Sequence, residues 1–213
     1  MSDPVEHPSD ESLFQRYREG DLGAFRALVE RYHDDLLRFL TRLLGDRQAA
    51  EDVFQETFVQ VHQSAQTFDA ERRFRPWLFT IAANKGRDYL RKKGRRQAFD
   101  LSAPVASAGD EGGMTYVDLL EVDFPAPSAA IDDRELGQQV QRVLDAMPYS
   151  LREILLLAYF QRLSYAQISD ELNVPLGTVK SRLHSAVAAF AKRWKASHGS
   201  EDGTGIEQGA ETS

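Results

Sequence analysis

Apolar residues in the first half of the chain recur at spacings of three and four and almost never alternate with a period of two. The run Phe25–Leu43 carries the apolar stripe of an amphipathic helix. Asp21 can cap the start of this helix and Gly45 can end it. A shorter helix precedes it and ends at Gly20. The pattern predicts an all-α fold.

A third helix is predicted from Gln48 to Ala65. Asp52, Gln55 and Glu56 are spaced at i, i+3 and i+4, so they share a face distinct from the apolar one. Spacing alone leaves two interpretations open: a solvated helix face, or a fixed polar patch that binds a partner protein.

A fourth helix is predicted to start near Pro76 and to stop at Gly94. Positive charge near a helix C-terminus interacts favourably with the helix dipole, which would explain part of the basic run RKKGRR. Five basic residues within six positions exceed what capping needs. Together with the aromatic and amide side chains of the same helix, they are suited to binding single-stranded DNA. Both interpretations stay open. The side chains off the apolar face are Trp77, Asn84, Lys85 and Asp88, and the basic end includes Arg91 and Lys92.

The second half contains the pattern of a helix-turn-helix. Ser164 and Gln167 form a capping-box pair, and the short helix that they begin ends at Asn173, a residue that tolerates the left-handed conformation. A turn containing Pro175 leads into a second helix that runs to about Lys195.

The outward stripe of this second helix is polar and basic, which suits the reading of base edges in the major groove. Lys180, Ser181, His184 and Ser185 lie on it, and Arg182 is better placed for phosphates. A small helical bundle without a ligand is the alternative interpretation.

Charge divides the chain into five parts. The 213 residues include 26 basic and 33 acidic ones, which give a net charge of −7. Residues 13–96 (block one) carry a net +5 and residues 134–195 (block two) a net +4, whereas residues 1–12, 97–133 and 196–213 contain no Lys or Arg. We therefore predict two small helical domains, joined by a flexible acidic linker and flanked by an acidic N-terminal segment and a disordered acidic tail.

Composition disfavours several classes of protein. The chain has no cysteine, which excludes disulfides, thiolate metal sites and a thiol nucleophile and fits a reducing, cytoplasmic compartment. Five scattered histidines, without HExxH or a glycine-rich phosphate loop, argue against an all-helical enzyme or metalloprotein. No apolar run approaches the ~18–20 residues of a membrane span. We predict no catalytic residue, no metal, no cofactor and no membrane insertion.

Three segments resemble one known family. In block two, LSYAQISDELNVPLGTVKSRLHSAV resembles region 4 of bacterial sigma-70 family factors, and its PLGTVKSRL piece resembles the extracytoplasmic-function (ECF, group 4) class. In block one, AEDVFQETFVQV and FRPWLFTIAANKGRDYLRKKGRR resemble regions 2.2 and 2.3–2.4 of that class. The resemblance implies a sigma factor, without enzymatic activity, that binds core RNA polymerase and directs promoter-specific initiation by recognising the minus-thirty-five element and melting the minus-ten element.

The resemblance also implies roles for individual residues. Asp52, Gln55 and Glu56 stand where region 2.2 contacts the beta-prime subunit, and further polymerase contact involves the beta subunit. The loop from Phe68 to Arg75 resembles the one that captures a flipped-out base. The implied minus-ten residues are Phe68, Trp77, Asn84 and Asp88, with Lys85, Arg91 and Lys92 as the basic residues of the same helix. The implied minus-thirty-five residues are Thr178, Lys180, Ser181, Arg182, His184 and Ser185.

Two features depart from the family pattern. Many members carry a basic residue where this chain has Ser185, and the interdomain linker is unusually long and acidic. The resemblance implies an anti-sigma factor as a further partner. The competing hypothesis is a helix-turn-helix regulator that binds DNA without polymerase, which would leave the Asp52 face and the Trp77 helix without a role.

Overall fold

The computed structural model describes residues 8–94 and 134–198, and the predicted linker lies outside them. The predicted tail lies outside them from residue 199 onward, whereas its first residues, 196–198, belong to the last helix, so the predicted start of the tail was too early. The described residues contain eight α-helices and no strand, so the all-α prediction is confirmed. The helices are α1 (Asp10–Arg18), α2 (Leu22–Leu44), α3 (Arg47–Ser64), α4 (Phe74–Gly94), α5 (Arg134–Asp145), α6 (Tyr149–Leu155), α7 (Tyr165–Leu172) and α8 (Leu176–His198). A 3₁₀ turn, Ala65–Thr67, follows α3, and a π-helical turn, Leu156–Phe160, follows α6. None of the helices in these two stretches is long and apolar enough to cross a membrane.

Local signals fix the ends of α2 as predicted. The Asp21 side chain accepts a hydrogen bond from the Ala24 amide at 3.1 Å. Gly45 takes the left-handed conformation, with φ of 70°, and its amide donates to the Thr41 carbonyl at 2.8 Å. A residue with a side chain would be strained at this φ, so glycine suits the position.

Helix α1 begins within the segment predicted as an acidic flank. Ser9 caps it, and Asp10 lies in its first turn, where a negative charge interacts favourably with the helix dipole. Asp10 also pairs with Arg31 at 2.5 Å and accepts a hydrogen bond from the Tyr32 hydroxyl. These contacts tie the start of α1 to α2.

The core of block one lies where α1, α3 and α4 pack against α2. Helix α2 can contact all three because it buries residues along its whole length, with a stripe at the predicted spacing of three and four. The largest fully buried side chains of this core are Phe14, Phe39, Phe74, Phe79, Leu28, Leu36, Leu40, Leu43 and Leu78.

Block two contains the predicted helix-turn-helix in α7 and α8. The capping box is formed, since Gln167 donates its amide to the Ser164 hydroxyl and its side chain accepts from the Ser164 amide. Asn173 ends α7 with φ and ψ of 50°. The Ser169 hydroxyl donates to the Val174 carbonyl at 2.7 Å and fixes the turn. The predicted inward residues of α8, Val179, Leu183, Ala186, Val187 and Phe190, are all buried.

The two blocks pack directly against each other. The carbonyls of Arg42 and Leu43 lie in the last turn of α2, where a helix leaves such groups without intrahelical partners. They accept hydrogen bonds from Gln141 Nε2 at 3.2 Å and from an Arg152 guanidinium nitrogen at 2.9 Å. Block two therefore caps the central helix of block one.

A second contact joins α6 to α4. The Tyr149 hydroxyl donates to the Ala83 carbonyl at 2.7 Å. Gly86 lies beside it, and a Cβ there would be 3.2 Å from the Tyr149 hydroxyl oxygen. The absence of a side chain at Gly86 lets α6 approach α4 closely.

Arg152 donates hydrogen bonds to three backbone carbonyls at this junction. Its side chain donates to the carbonyls of Leu43, Asp145 and Met147 at 2.9–3.2 Å and to the Asp145 carboxylate at 3.3 Å. Burial lowers the pKa of Arg152, and Asp145 opposes that shift. A buried charge with this many partners fixes the turn between α5 and α6 against the end of α2.

We predict that Arg152→Ala destabilises the fold by about 2–4 kcal/mol, because it leaves buried carbonyls without donors. Urea unfolding followed by circular dichroism measures the loss. Arg142→Ala is the matched control, since Arg142 is exposed on the neighbouring helix and its loss should change stability by less than about 0.5 kcal/mol. Equal stability of the two variants would contradict the role given to Arg152.

Candidate functional site

The polar face of α3 is exposed. Helix α3 buries Ala49, Val53 and Thr57 against block one, which turns the other side of the helix to solvent. Asp52, Gln55 and Glu56 are all exposed there, as their spacing predicts. The structure therefore brings these three predicted polymerase-contact residues together on one accessible surface.

An apolar side chain belongs to the same surface. Val59 is 55% exposed and follows Gln55 and Glu56 at the helical spacings of four and three. The sequence analysis did not identify Val59. Its position outside the buried apolar stripe of α3 would have indicated an exposed apolar contact. The α3 patch, defined here as Asp52, Gln55, Glu56 and Val59, thus combines acidic and amide groups with an apolar contact. Such a mixture is usual in protein–protein interfaces.

The aromatic residues predicted to contact bases lie in a cluster instead of at the surface. Phe68 is buried, and its ring lies 4.4 Å from that of Trp77, which is half-buried. Phe14 packs against both, at 5.1 Å from Phe68 and 5.5 Å from Trp77. In this arrangement the cluster anchors the loop that joins α3 to α4. Base stacking on the Phe68 ring would require the loop to move, whereas Trp77 is only half-buried.

Polar residues of α4 remain accessible. Asn84 is exposed and accepts a hydrogen bond from Arg87 at 3.0 Å, and Asp88 pairs with Arg91 at 3.1 Å. Lys85 is half-buried. Asn84 and Asp88 are thus each held by an arginine of their own helix.

The last turn of α4 carries the basic end predicted from the sequence. Arg91, Lys92 and Lys93 lie there, and all three are exposed. Lys93 approaches the Asp46 carboxylate at 3.8 Å, a long exposed pair that contributes little. This end of α4 therefore presents positive charge that phosphates could neutralise.

Helix α8 presents the predicted reading stripe. Lys180, Ser181 and His184 are exposed, whereas Thr178, Arg182 and Ser185 are half-buried. The Ser181 hydroxyl donates to the Thr178 carbonyl at 3.2 Å, so in this structure it serves its own helix. Lys180 and His184 are the side chains most available to base edges.

Three arginines near the predicted minus-ten surface contact block two, and the sequence reasoning did not identify them. The loop and α4 supply the arginines, and α6, α7 and the segment between them supply the acceptors. The contacts are Arg72 to Glu171 at 2.7 Å, Arg75 to Gln161 at 2.8 Å and Arg87 to Glu153 at 2.6 Å.

Burial raises the pKa of both carboxyl groups, and nearby arginines oppose the rise. The Glu153 side chain is 3% exposed, and burial raises its pKa while Arg87 and Arg182 oppose the rise. Burial likewise raises the pKa of Glu171, and Arg72 opposes it. A detectable signal was present in the sequence: Arg152 and Glu153 interrupt an otherwise apolar run, and a charge in such a run needs a buried partner.

Two family models match the chain in the order of the two blocks. The model described as Sigma-70 region 2 matches residues 28–96, and the model described as Sigma-70, region 4 matches residues 137–190.

No group of three or more histidine, aspartate or glutamate side chains that could hold a metal ion occurs in residues 8–94 and 134–198.

Relatives and solved structures agree with these matches. The ECF RNA polymerase sigma factor SigW of Bacillus subtilis is 34% identical over 179 residues, which cover 84% of this chain and 93% of the relative. The RNA polymerase sigma-H factor of Pseudomonas aeruginosa is 33% identical over 184 residues, which cover 86% of this chain and 92% of the relative.

Two solved complexes contain a chain with this fold. CnrH, solved in complex with the cytosolic domain of CnrY, has a TM-score of 0.60 and 22% identity, and the match covers 89% of this chain and 99% of CnrH. The sigma factor RpoE, solved with the anti-sigma factor NepR from Bartonella quintana, has a TM-score of 0.57 and 22% identity, and the match covers 80% and 96% of the two chains. Since both sigma-70 regions are present and the full-length relatives are sigma factors, the chain belongs to the ECF class of the sigma-70 family of RNA polymerase sigma factors.

Proposed function

We propose that this protein is a dissociable subunit that gives core RNA polymerase its promoter specificity. The observation that supports this most strongly is the pairing of two exposed surfaces in one chain, the α3 patch and the reading stripe of α8. A helix-turn-helix regulator acting without polymerase would use α8 and leave the α3 patch without a role. The family membership also disfavours that alternative.

In the proposed mechanism the α3 patch docks on the polymerase, chiefly on its beta-prime subunit. Docking needs no rearrangement within block one, because the carboxylates, the amide and Val59 are already exposed on one helix. Preorganised side chains lower the conformational entropy lost on binding.

Helix α8 then reads duplex DNA at the minus-thirty-five element. Lys180 can donate to guanine, His184 can bond a base or a phosphate, and the half-buried Arg182 is placed for phosphate. Ser185 lacks the positive charge common at this position in the family, so one phosphate or base contact is missing from the set.

Block one then holds the unpaired minus-ten strand. Extruding a base costs a few kcal/mol, and stacking and phosphate neutralisation can offset this. Asn84 and Asp88 offer groups for base edges, and Lys85, Arg91 and Lys92 offer positive charge. The half-buried Trp77 belongs to this set, and Phe68 joins it if the loop between α3 and α4 rearranges on binding. The nucleotide chemistry belongs to the polymerase, so we assign no catalytic residue and no cofactor to this chain.

An anti-sigma factor belongs to the proposed set of partners. The supporting observation is that structural neighbours of this fold were solved with the cytosolic domain of CnrY and with the anti-sigma factor NepR. We propose that the protein works in the cytoplasm, where polymerase and promoter DNA are found.

We predict that the double variant Gln55→Ala/Glu56→Ala binds core polymerase at least about tenfold more weakly, because truncation of interface contacts commonly costs more than 1 kcal/mol. A titration of labelled protein with core polymerase measures the change.

The matched control is Gln15→Ala/Glu19→Ala, which removes an amide and a carboxylate from the exposed side of α1. Both variants should keep the wild-type circular dichroism spectrum. If both bind polymerase as the wild type does, α3 is not the docking surface.

We predict that Lys180→Ala and His184→Ala each lower transcription about five- to tenfold from a promoter with an intact minus-thirty-five element, since a base contact is worth ~1–3 kcal/mol. In vitro transcription with core polymerase measures this on a promoter selected by the wild-type protein.

The same promoter with a scrambled minus-thirty-five element is the control template, on which these variants should match the wild type. Lys192→Ala, an exposed lysine farther along α8, should instead weaken transcription from both templates to the same degree. Equal losses on both templates for Lys180→Ala would mean that Lys180 does not read sequence.

A further inference from the structure

We propose that Leu176 reads the C5-methyl group of a thymine in the major groove of the minus-thirty-five element. This contact adds an apolar component to the polar contacts proposed for Lys180 and His184. The inference rests on the proposed function, because it assigns a further specificity-determining residue to the surface that reads duplex DNA.

Leu176 is the first residue of α8, and its side chain lies in solvent. It is 43% exposed, and no other large apolar side chain in residues 134–198 is exposed to this degree. Its apolar neighbours along the chain behave differently, since Val174 packs partly against the core and Val179 is fully buried. A single exposed leucine is common in folded proteins, so the position of Leu176 has to carry the inference.

The start of α8 forms without a contribution from the Leu176 side chain. Val174 and Val179 occupy the two positions whose apolar side chains fix the entry of a chain into a helix. The amides of Thr178 and Val179 donate to the Pro175 carbonyl at 2.8 and 3.1 Å and close the first turn through the backbone. A leucine at position 176 is therefore not needed to begin the helix.

Leu176 continues the reading stripe of α8 by one turn toward the N-terminus. Leu176, Lys180 and His184 follow one another at intervals of four, so they share one face of the helix, and all three are exposed. Side chains of a helix lean toward its N-terminus, which directs the leucine to the end of α8. In helix-turn-helix proteins this end of the second helix contacts base edges.

The space beside Leu176 is open to a ligand. Gly177 follows it in the first turn, and a Cβ at Gly177 would meet no atom within 4 Å other than those of its own helix and its chain neighbours. Packing within the protein therefore does not require a glycine there. The missing side chain leaves room for the edge of a DNA groove next to the leucine.

Thymine is the base that matches an aliphatic side chain in the major groove. It presents a C5-methyl group beside its O4 acceptor, whereas guanine and adenine present only hydrogen-bonding groups there. Leucine has no hydrogen-bonding atom in its side chain, but contact with the methyl removes apolar surface of both partners from water. The setting favours DNA over an apolar protein surface, because block two carries a net +4 and Lys180 lies one turn away.

The helix geometry limits where this thymine can lie. One turn of α8 separates Leu176 from Lys180 and rises about 5.4 Å, while base pairs are stacked about 3.4 Å apart. The two side chains therefore reach base pairs that are about one or two steps apart. We expect the thymine within about two steps of the base pair that Lys180 reads.

The first test selects promoters from a library in which the minus-thirty-five element and its flanks are randomised. Full-length wild type, Leu176→Ala and Leu176→Met are each combined with core polymerase in transcription in vitro. The wild type should enrich a thymine at one position of either strand, and Leu176→Ala should lower this enrichment about fourfold, the effect of losing one buried methyl contact. Leu176→Met keeps an apolar side chain of similar volume and should keep the preference.

Lys180→Ala should relax the selection at a different position, within about two steps of the thymine. If Leu176→Ala selects the same sequences as the wild type, or if it relaxes only the position that Lys180→Ala relaxes, the proposal is wrong.

The second test removes only the methyl group. Deoxyuridine replaces the selected thymine and keeps its pairing and its O4 acceptor. Wild-type transcription should fall about fourfold on the uracil template, whereas Leu176→Ala should transcribe both templates equally. An equal fall for both proteins would mean that the methyl acts elsewhere. A variant that is weaker than the wild type to the same degree on both templates would place Leu176 against a protein. Either result would overturn the proposal.

The matched control is Leu22→Ala, because Leu22 is also an exposed leucine at the start of a helix, on α2 of block one. This variant should keep both the thymine preference and the fourfold uracil effect. Failure of the wild type to initiate from any library member would refute the proposed function and this inference with it. Initiation by the wild type, with an unchanged preference in Leu176→Ala, would refute this inference alone.

Discussion

The Arg42 and Leu43 carbonyls in the last turn of α2 have no partners within their own helix, and the arrangement of the two blocks depends on how these groups are satisfied. Arg152 and Gln141 of block two donate to them. The positive charge of Arg152 also meets the negative end of the α2 dipole. Because α2 is the helix against which α1, α3 and α4 pack, a contact at its end positions the whole of block two relative to the core of block one.

Local signals were sufficient to predict α1 to α4, α7 and α8, whereas α5 and α6 were not identified from the sequence. Asp21, Gly45, Ser164 and Asn173 act on their own neighbours along the chain, and the structure confirms each of them at the predicted end. The exposed face of α3 was also predictable, because spacing on one helix decides which side chains share a face. In both cases the information lies within a few residues, which is the range over which helix geometry operates.

The contacts between the blocks were not predictable in the same way. Arg87 and Glu153 are 66 positions apart, and each belongs to a helix whose pattern is satisfied without the other. The burial of Phe68 and Trp77 was missed for a related reason. Helical spacing places an aromatic residue on a face, but which neighbour covers that face depends on tertiary packing, here by Phe14 of α1. Both sets of contacts include or lie beside residues proposed to act on the minus-ten strand.

The distribution of charge gives these contacts a consequence beyond packing. The two blocks carry positive charge while the chain as a whole carries −7, so the basic surfaces are the exception in an acidic protein. Arg72, Arg75 and Arg87 of block one face carboxylates and an amide of block two. Counterion release, which drives nucleic-acid binding, scales with the number of cations that are free to neutralise phosphates. The cations best placed for this are the exposed ones near the end of α4 and on the outward face of α8, such as Arg91, Lys92 and Lys180.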